Sequence, residues 1–387
     1  MKKNICIFTG SRADYGLMFN LLKKIKRSRQ FKLDIIATCM HLSSRYGNTY
    51  REIEKDGFKI NKKIKLPLSS DLSKNISKAT GVAMKKFSIE LSKINPDAVL
   101  ILGDRFEAFA AAFASISEKI PVVHLHGGES TKALIDDAIR HSITKMSALH
   151  LVSHKFYKNR IVQMGENPKN VHVVGSLGVE NIFLRKFFTK KEVEKKIKMK
   201  FAKTNLMATF HPETLAVSSI HKKLNPLLGI LKNLKDTNIV FTFPNADSGN
   251  KSIYHLLKKF TKSDPKRFKC IKSLGQKLYF SYLKNCDLVV GNSSSGIIEV
   301  PSFRIPTINF GLRQGGRIKS RSVIDCDYKI ISFKKALKKA LSKKFRKKIK
   351  KFINPYHKNK TSDLIFKILK KTNFNKDLVQ KKFYDIR

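Results

Sequence analysis

What the chain lacks narrows its class before any motif is read. It has no tryptophan, and only 29 acidic residues face 79 lysines and arginines across 387 positions, a formal net charge of +50. No apolar run reaches the roughly 18–20 residues that a membrane span requires. The opening MKKNICIFTGSRADYG holds too few apolar residues for a secretory h-region. A cytoplasmic protein with no membrane partner is therefore expected. The five cysteines (Cys6, Cys39, Cys270, Cys286, Cys326) are scattered and odd in number, with no C-x-x-C pair. That spacing argues against a disulfide framework or structural zinc, and reduced thiols suit the expected compartment. A P-loop lysine, a G-x-G-x-x-G turn and a G-x-S-x-G elbow are also missing. Their absence argues against NTP hydrolysis, nicotinamide dinucleotide binding and serine hydrolase chemistry.

The excess of base invites a nucleic-acid reading, because a basic patch supplies the non-specific phosphate term. The lysines, however, are spread over the whole chain beside abundant Ile, Asn and Phe, the pattern of AT-rich coding on a solvated surface. From Ile331 to the end there are twenty basic residues and three acidic ones. Apolar positions recur there at helical spacing (Phe333, Ala336, Leu337, Ala340, Leu341, Phe345, Ile349), which predicts one amphipathic helix with a lysine face. Nucleic acid is not the expected partner; the positive field would instead help attract an anionic substrate.

At roughly 100–200 residues per domain, the length suggests two domains. Apolar runs alternate with helical patterns, the signature of an α/β protein with parallel sheets. NICIFTGS, LDIIATCM, DAVLILGD, PVVHLHGG, LHLVSH and VHVVGS read as six strands. NLMATFHP, NIVFTFPN, FKCIKSLG, CDLVVGNS, TINFG and YKIISF read as six more. The expected fold is two doubly wound Rossmann-like halves, 1–178 and 179–365, facing a cleft, with 366–387 as a closing helix and tail. Ligands of open α/β sheets bind beyond the carboxyl ends of the strands. There the chain places GSRADYG, GDRFE, HLHGGE, HPET, PNADSG and GNSSSG.

Two of these loops suit a diphosphate. Gly10–Gly16 and Gly291–Gly296 each join a strand to a helix start, where small residues let backbone N–H groups approach an anion. Arg12 adds a guanidinium, and Glu299, one turn beyond the second loop, is placed to reach ribose hydroxyls. Gly311–Arg317 is a further Gly-rich loop with two arginines. The ionisable cluster lies in the first half: Asp104, Arg105, Glu107, His124, His126, Glu129, Asp136, Asp137, Arg140 and His141. Crowded carboxylates push one another's pKa values apart, which lets one act as base and another as acid. His124, His126 and Glu129 lack an obvious fourth metal ligand, so neither metal nor cofactor is expected.

The motifs S-R-A-D-Y-G, G-D-R-x-E, H-G-G-E, D-D-x-I-R-H-x-I-T-K, H-P-E-T, P-N-x-D-x-G, G-N-S-S-S-G-x-x-E-V and R-Q-x-G-R occur in one order. Together they resemble the hydrolysing UDP-N-acetylglucosamine 2-epimerases of sialic acid biosynthesis, from about Lys3 to Val323. The resemblance implies a fold like that of GT-B nucleotide-sugar glycosyltransferases, with the C-terminal helix packing back on the first domain. The implied reaction takes UDP-N-acetylglucosamine and water to N-acetylmannosamine and UDP through a glycal, without metal, in a dimer or tetramer. Arg12, His211, Ser293, Ser294 and Arg313 match its phosphate-binding positions, and Glu299 its ribose contact. Ala13, Asp14, Arg105, His141, Asn245 and Asp247 complete the implied substrate-binding set. Asp104, Glu129 and Asp136 are the proton-transfer candidates, with Asp137 nearby. Part of the family reads H-x-E-G-G-E where this chain has His124-Leu125-His126-Gly127-Gly128-Glu129. Either Glu129 or His126 then carries the role of the missing glutamate. The same motifs also resemble enzymes acting on a UDP- or GDP-linked diacetamido-trideoxyhexose for legionaminic acid. A GT-B glycosyltransferase is the remaining enzymatic alternative.

Overall fold

The strand-forming runs sort into two sheets in this computed structural model, which describes residues 2–67, 73–132, 134–213, 220–243, 250–271 and 274–386. The first sheet holds β1 (Lys3–Thr9), β2 (Phe31–Thr38), β3 (Lys62–Ile64), β4 (Ala98–Leu102), β5 (Val122–Leu125), β6 (Leu149–Val152) and β7 (Val171–Val173), in the order 3-2-1-4-5-6-7. The second holds β8 (Thr204–Thr209), β9 (Thr237–Thr242), β10 (Phe268–Ile271), β11 (Leu288–Gly291), β12 (Thr307–Phe310) and β13 (Val323–Cys326), in the order 10-9-8-11-12-13. Every pairing in both sheets is parallel. Both are doubly wound, and the direction of winding reverses between β1 and β4 and between β8 and β11. Such a reversal opens a crevice at the carboxyl ends of the two central strands, where ligands of this architecture bind.

One unit comprises Met1–Glu129, Ile135–Asn181 and Lys358–Arg387. Successive residues of its strands serve opposite faces, as the period of two requires. Ile5 and Ile7 pack with Met18, Leu22 and Ile25 of the helix Arg12–Arg27, whereas Cys6 and Phe8 pack with Phe87 and Leu91 of the helix Ser73–Ile94. Both faces are covered, which is why these strands read as near-continuous apolar runs. The helix Thr361–Lys371 contributes Ile365 and Leu369 to the same core, and the Ser362 amide and hydroxyl donate to Glu180.

The other unit comprises Ser130–Leu134 and Ile182–His357. Leu206, Ala208 and Phe210 line one face of its sheet and Met207 the other. The chain passes from one unit to the other at Glu129/Ser130, Leu134/Ile135, Asn181/Ile182 and His357/Lys358.

Three local expectations need correction. YKIISF is not a strand: β13 is the earlier VIDC, and Ile330 opens a helix that runs to Leu341. Phe333, Ala336, Leu337 and Ala340 are buried along it while Ile331 is 82% exposed, so helical period overrides the β-branched composition. The predicted single lysine-faced helix is two, Ile330–Leu341 and Lys343–Ile349, divided at Ser342, whose hydroxyl caps the second through the Phe345 amide. Finally, β3 carries too short an apolar signal in Lys-Lys-Ile to be visible in sequence.

Candidate active site

In the first unit, the loop after β1 starts the helix Arg12–Arg27. Ser11 is its N-cap, in a capping box with Asp14. The Asp14 carboxylate accepts from the Gly10 amide at 2.9 Å, the Ser11 amide at 2.8 Å and the Ser11 hydroxyl. Asp14 therefore shapes the loop, while on the first turn Ala13 is exposed and Arg12 half-buried. The Arg12 guanidinium lies 3.7 Å from Glu52, whose carboxyl is pushed up chiefly by burial, against the pull of Arg12. His41, which sequence reasoning missed, braces the loop from below. Its ring nitrogens bond to Thr9 and Thr49, each at 2.9 Å, and its amide donates to the Gly10 carbonyl. Glu107 presses against Gly10, where a β-carbon would collide with its carboxylate. The same carboxylate accepts from Arg105 Nε at 2.7 Å.

The acid/base cluster is organised by Arg140, a residue of the predicted cluster that the sequence reading gave no role. It is buried at the first turns of the helix Asp136–Met146. Its guanidinium donates to Asp104, to Asp137 Oδ1 at 3.1 Å and to the Glu129 carbonyl at 2.9 Å. A planar fork with several fixed donors can bridge three acceptors in this way. Asp104 follows β4, Glu129 follows β5, and Asp136 and Asp137 open the helix, so one side chain ties three elements together. His141 Nε2 lies 3.7 Å from Asp137; burial is the main force lowering its pKa, with Asp137 opposing.

His126 adopts a left-handed backbone, φ 64°, unusual for a residue with a β-carbon. Its Nδ1 sits 3.2 Å from Glu129 Oε1, which also accepts from Ser153 Oγ at 3.2 Å. A carboxylate only accepts, so the neutral ring carries its proton on Nδ1 and its lone pair on Nε2. Nε2 has no hydrogen-bond partner among the described residues. His124, by contrast, is a buried support. Its Nε2 donates to the Gly103 carbonyl at 2.8 Å, and burial pushes its pKa down to about 3. The two histidines thus sit in unlike surroundings. Among the described residues, no group of three or more His, Cys, Asp or Glu is arranged to hold a metal ion.

In the second unit the crevice lies between β8 and β11. His211 follows β8; Asn292, Ser293 and Ser294 follow β11, and Gly291 must be glycine because a β-carbon would run into the Thr209 carbonyl. The helix after this loop is only Ser295–Ile298, followed by a 3-10 turn Val300–Phe303. The helix start is therefore a single turn, and the loop offers small side chains and backbone amides. Ser293 and Ser294 are partly exposed, and Glu299 lies at the end of the short helix. In the Gly311–Arg317 loop, Arg313 Nη1 and Gln314 Nε2 donate to the Asn292 carbonyl at 3.2 and 2.9 Å. Glu213 accepts from the Leu312 amide at 3.1 Å and holds the start of that loop. Asn245 and Asp247, with Thr214, lie outside the described residues. The remaining predicted positions thus fall into two groups, one beyond the carboxyl ends of β1, β4 and β5 and one beyond those of β8, β11 and β12. Arg140, Asn292, Gln314 and Glu213 stand inside the quoted motifs, but only the fold reveals what they hold.

No helix among the described residues is long and apolar enough to cross a membrane. The chain matches the UDP-N-acetylglucosamine 2-epimerase family model over residues 23–370. It is 42% identical over 326 residues to the GDP/UDP-N,N'-diacetylbacillosamine 2-epimerase (hydrolyzing) of Campylobacter jejuni, covering 84% of this chain and 85% of that one. It is 37% identical over 385 residues to polysialic acid biosynthesis protein P7 of Escherichia coli, covering 99% and 98%. Its fold matches the S. aureus MnaA–UDP co-structure with a TM-score of 0.80 at 16% identity, over 100% of both chains. Two parallel α/β sheets of GT-B type and relatives of this closeness place the chain in the UDP-N-acetylglucosamine 2-epimerase family, in its hydrolysing branch.

Proposed function

We propose that the protein converts UDP-N-acetylglucosamine and water to N-acetylmannosamine and UDP, for sialic acid biosynthesis. The observation that carries this reading is the His126–Glu129 pair beside the Arg140-bound carboxylates Asp104 and Asp137. Glu129 fixes the ring so that Nε2 is the basic nitrogen, the arrangement a general base needs. His126 Nε2 takes the C2 proton, the electron pair becomes the C1=C2 bond, and the C1–O bond to the diphosphate breaks. Water oxygen then bonds to C1 as a base removes one of its protons, while an acid returns a proton to C2 from the opposite face. Asp104 and Asp136 serve that second face. His126 thereby takes the part that a glutamate plays in relatives reading H-x-E-G-G-E, with Glu129 orienting it.

The departing diphosphate gathers negative charge and needs donors already in place. Ser293, Ser294, His211, Arg12 and Arg313 are assigned that task, with Glu299 on the ribose. Ala13, Arg105, His141, Asn245 and Asp247 complete the substrate contacts. A second reading keeps the reaction and changes the sugar to a nucleotide-linked 2,4-diacetamido-2,4,6-trideoxyhexose. The name and 42% identity of the Campylobacter relative support it. A dimer or tetramer belongs to the same proposal and is checked by light scattering.

The test is proton NMR in D2O with each nucleotide sugar supplied in turn. Free N-acetylmannosamine deuterated at C2, appearing with UDP, supports the first reading. Turnover of the diacetamido sugar alone supports the second. Unlabelled N-acetylglucosamine as product rules out both, because hydrolysis would then proceed without C2 exchange.

A further inference from the structure

We infer that Asn292 is a positioning residue that holds His211, Arg313 and the loop Ser293–Ser294 in one arrangement for the diphosphate of the substrate. The inference deepens the proposed nucleotide-sugar reading and rests on it.

The ladder between β8 and β11 runs through Leu288–Leu206 to Gly291–Thr209. It continues for one more bond, from the Asn292 amide to the Thr209 carbonyl at 3.1 Å. Beyond that point the side chain of Asn292 takes over. Its Oδ1 accepts from the His211 amide at 2.7 Å, and its Nδ2 donates to the His211 carbonyl at 2.9 Å. A carboxamide has the donor and acceptor of a peptide group, so at the end of this parallel ladder the side chain makes the two-bond exchange that a hydrogen-bonded antiparallel pair makes. Asn292 is fully buried, and water has no access to substitute for either bond. Its own carbonyl meanwhile accepts from Arg313 and Gln314. One residue thus fixes the strand end that carries His211, the loop that carries Arg313, and the first position before Ser293.

The residue type is demanding. Aspartate keeps the acceptor and loses the donor, setting a carboxylate oxygen against the His211 carbonyl. When protonated, however, its hydroxyl can donate and its other oxygen accept, restoring the amide's pattern. Alanine removes both of these bonds to the His211 backbone, at any pH.

The probe is UDP, titrated calorimetrically into the full chain. With wild type binding UDP, Asn292→Ala should weaken affinity about tenfold, the scale of one to two buried hydrogen bonds lost. Asn292→Asp should show a comparable loss near about pH 8, and the gap to wild type should narrow as the pH falls toward about 5.5 and the carboxyl protonates. Asn292→Ala should show no such narrowing, which separates the paired exchange from a general loss of packing. In a His211→Ala background the effect of Asn292→Ala should shrink, because the backbone bonds remain but the imidazole they position is gone, so the two losses are not additive. Affinities within twofold of wild type for folded Asn292 variants, or a full effect without His211, would overturn the inference. If neither Asn292 variant folds, Gln314→Ala carries the test. It removes one donor to the Asn292 carbonyl and should weaken UDP two- to fivefold; unchanged binding overturns the inference. Failure of wild type to bind UDP would sink the nucleotide reading itself, a separate outcome.

Discussion

Arg140, almost wholly buried, donates through one guanidinium nitrogen to Asp104 and through another to the backbone carbonyl of Glu129. The acid that follows β4 and the acid that follows β5 are therefore set by a single side chain from a helix. Loss of Asp104 as Asp104→Asn keeps shape and hydrogen bonding but removes the charge and the proton acceptor. Turnover should fall by about 10²–10⁴, the usual weight of a positioned acid or base, while UDP affinity stays within about twofold. Near-normal turnover would make Asp104 a structural partner of Arg140 and end the proton-transfer assignment. Arg140→Lys should also lower turnover, since a point charge cannot bridge three acceptors.

The packing beside the second crevice makes an equally sharp forecast. Gly291 has φ 141° and lies against the Thr209 carbonyl with no room for a β-carbon. Gly291→Ala has to push two central, paired strands apart and adopt a backbone that L residues avoid. A loss of about 3 kcal/mol or more is expected, read as a lowered unfolding temperature or absent soluble protein. A variant as stable as wild type would mean that β8 and β11 are not paired in this register.

Much of this was legible in the sequence, and the reasons for the failures are physical. The strands of both sheets are fully covered, so runs such as IFT after Cys6 or LVVG announce themselves without alternation. The loops at their ends are equally visible, because small and polar residues interrupt an apolar pattern. Which loops flank the winding reversals was not legible, since strand order arises from crossovers that leave no local mark. Arg140 and Asn292 were invisible as organisers for a related reason. Each stands one to three residues from a named candidate, but its partners come from elements far apart in the chain. YKIISF misled because β-branched composition suggested a strand where a buried stripe of Phe333, Ala336, Leu337 and Ala340 decides for helix.

The C-terminal tail is tied down by a buried carboxylate. Glu166 accepts from His150 at 3.1 Å, from Lys381 at 2.7 and 2.8 Å, and pairs with Lys145 at 2.7 Å. Burial pushes its carboxyl up, but hydrogen bonds from His150, Lys145 and Lys381 outweigh it and hold the pKa at about 2. A depressed carboxyl gives stability that is fully present above its unfolded value near 4.5 and is lost as pH falls through about 2. At neutral pH the latch is therefore at full strength. Lys381→Met should cost about 1–3 kcal/mol there, and the cost should shrink in a Glu166→Gln background because the two share one network. Additive losses, followed by thermal unfolding, would show that the tail is held by Phe383 against Gly165 rather than by charge.

His124 acts on the acid side of stability in the same direction as Glu166, through a group that is neutral rather than charged in the fold. Burial lowers its pKa from 6.5 to about 3, although its bond to Gly103 pulls the other way. Below pH 6.5 the unfolded chain takes up a proton here and the folded one does not, so acid favours unfolding through this group. The contribution is about 1.4 kcal/mol per pH unit across the window from 6.5 down to about 3. His124→Gln keeps a side-chain donor for the Gly103 carbonyl and cannot titrate. Between about pH 7.5 and 5, wild type should lose about 2 kcal/mol more stability than His124→Gln, measured from urea midpoints at each pH. His41 and His150, whose pKa values burial also lowers, act equally in both proteins and cancel in the comparison. Parallel pH profiles for the two proteins would mean that His124 is charged in the folded state.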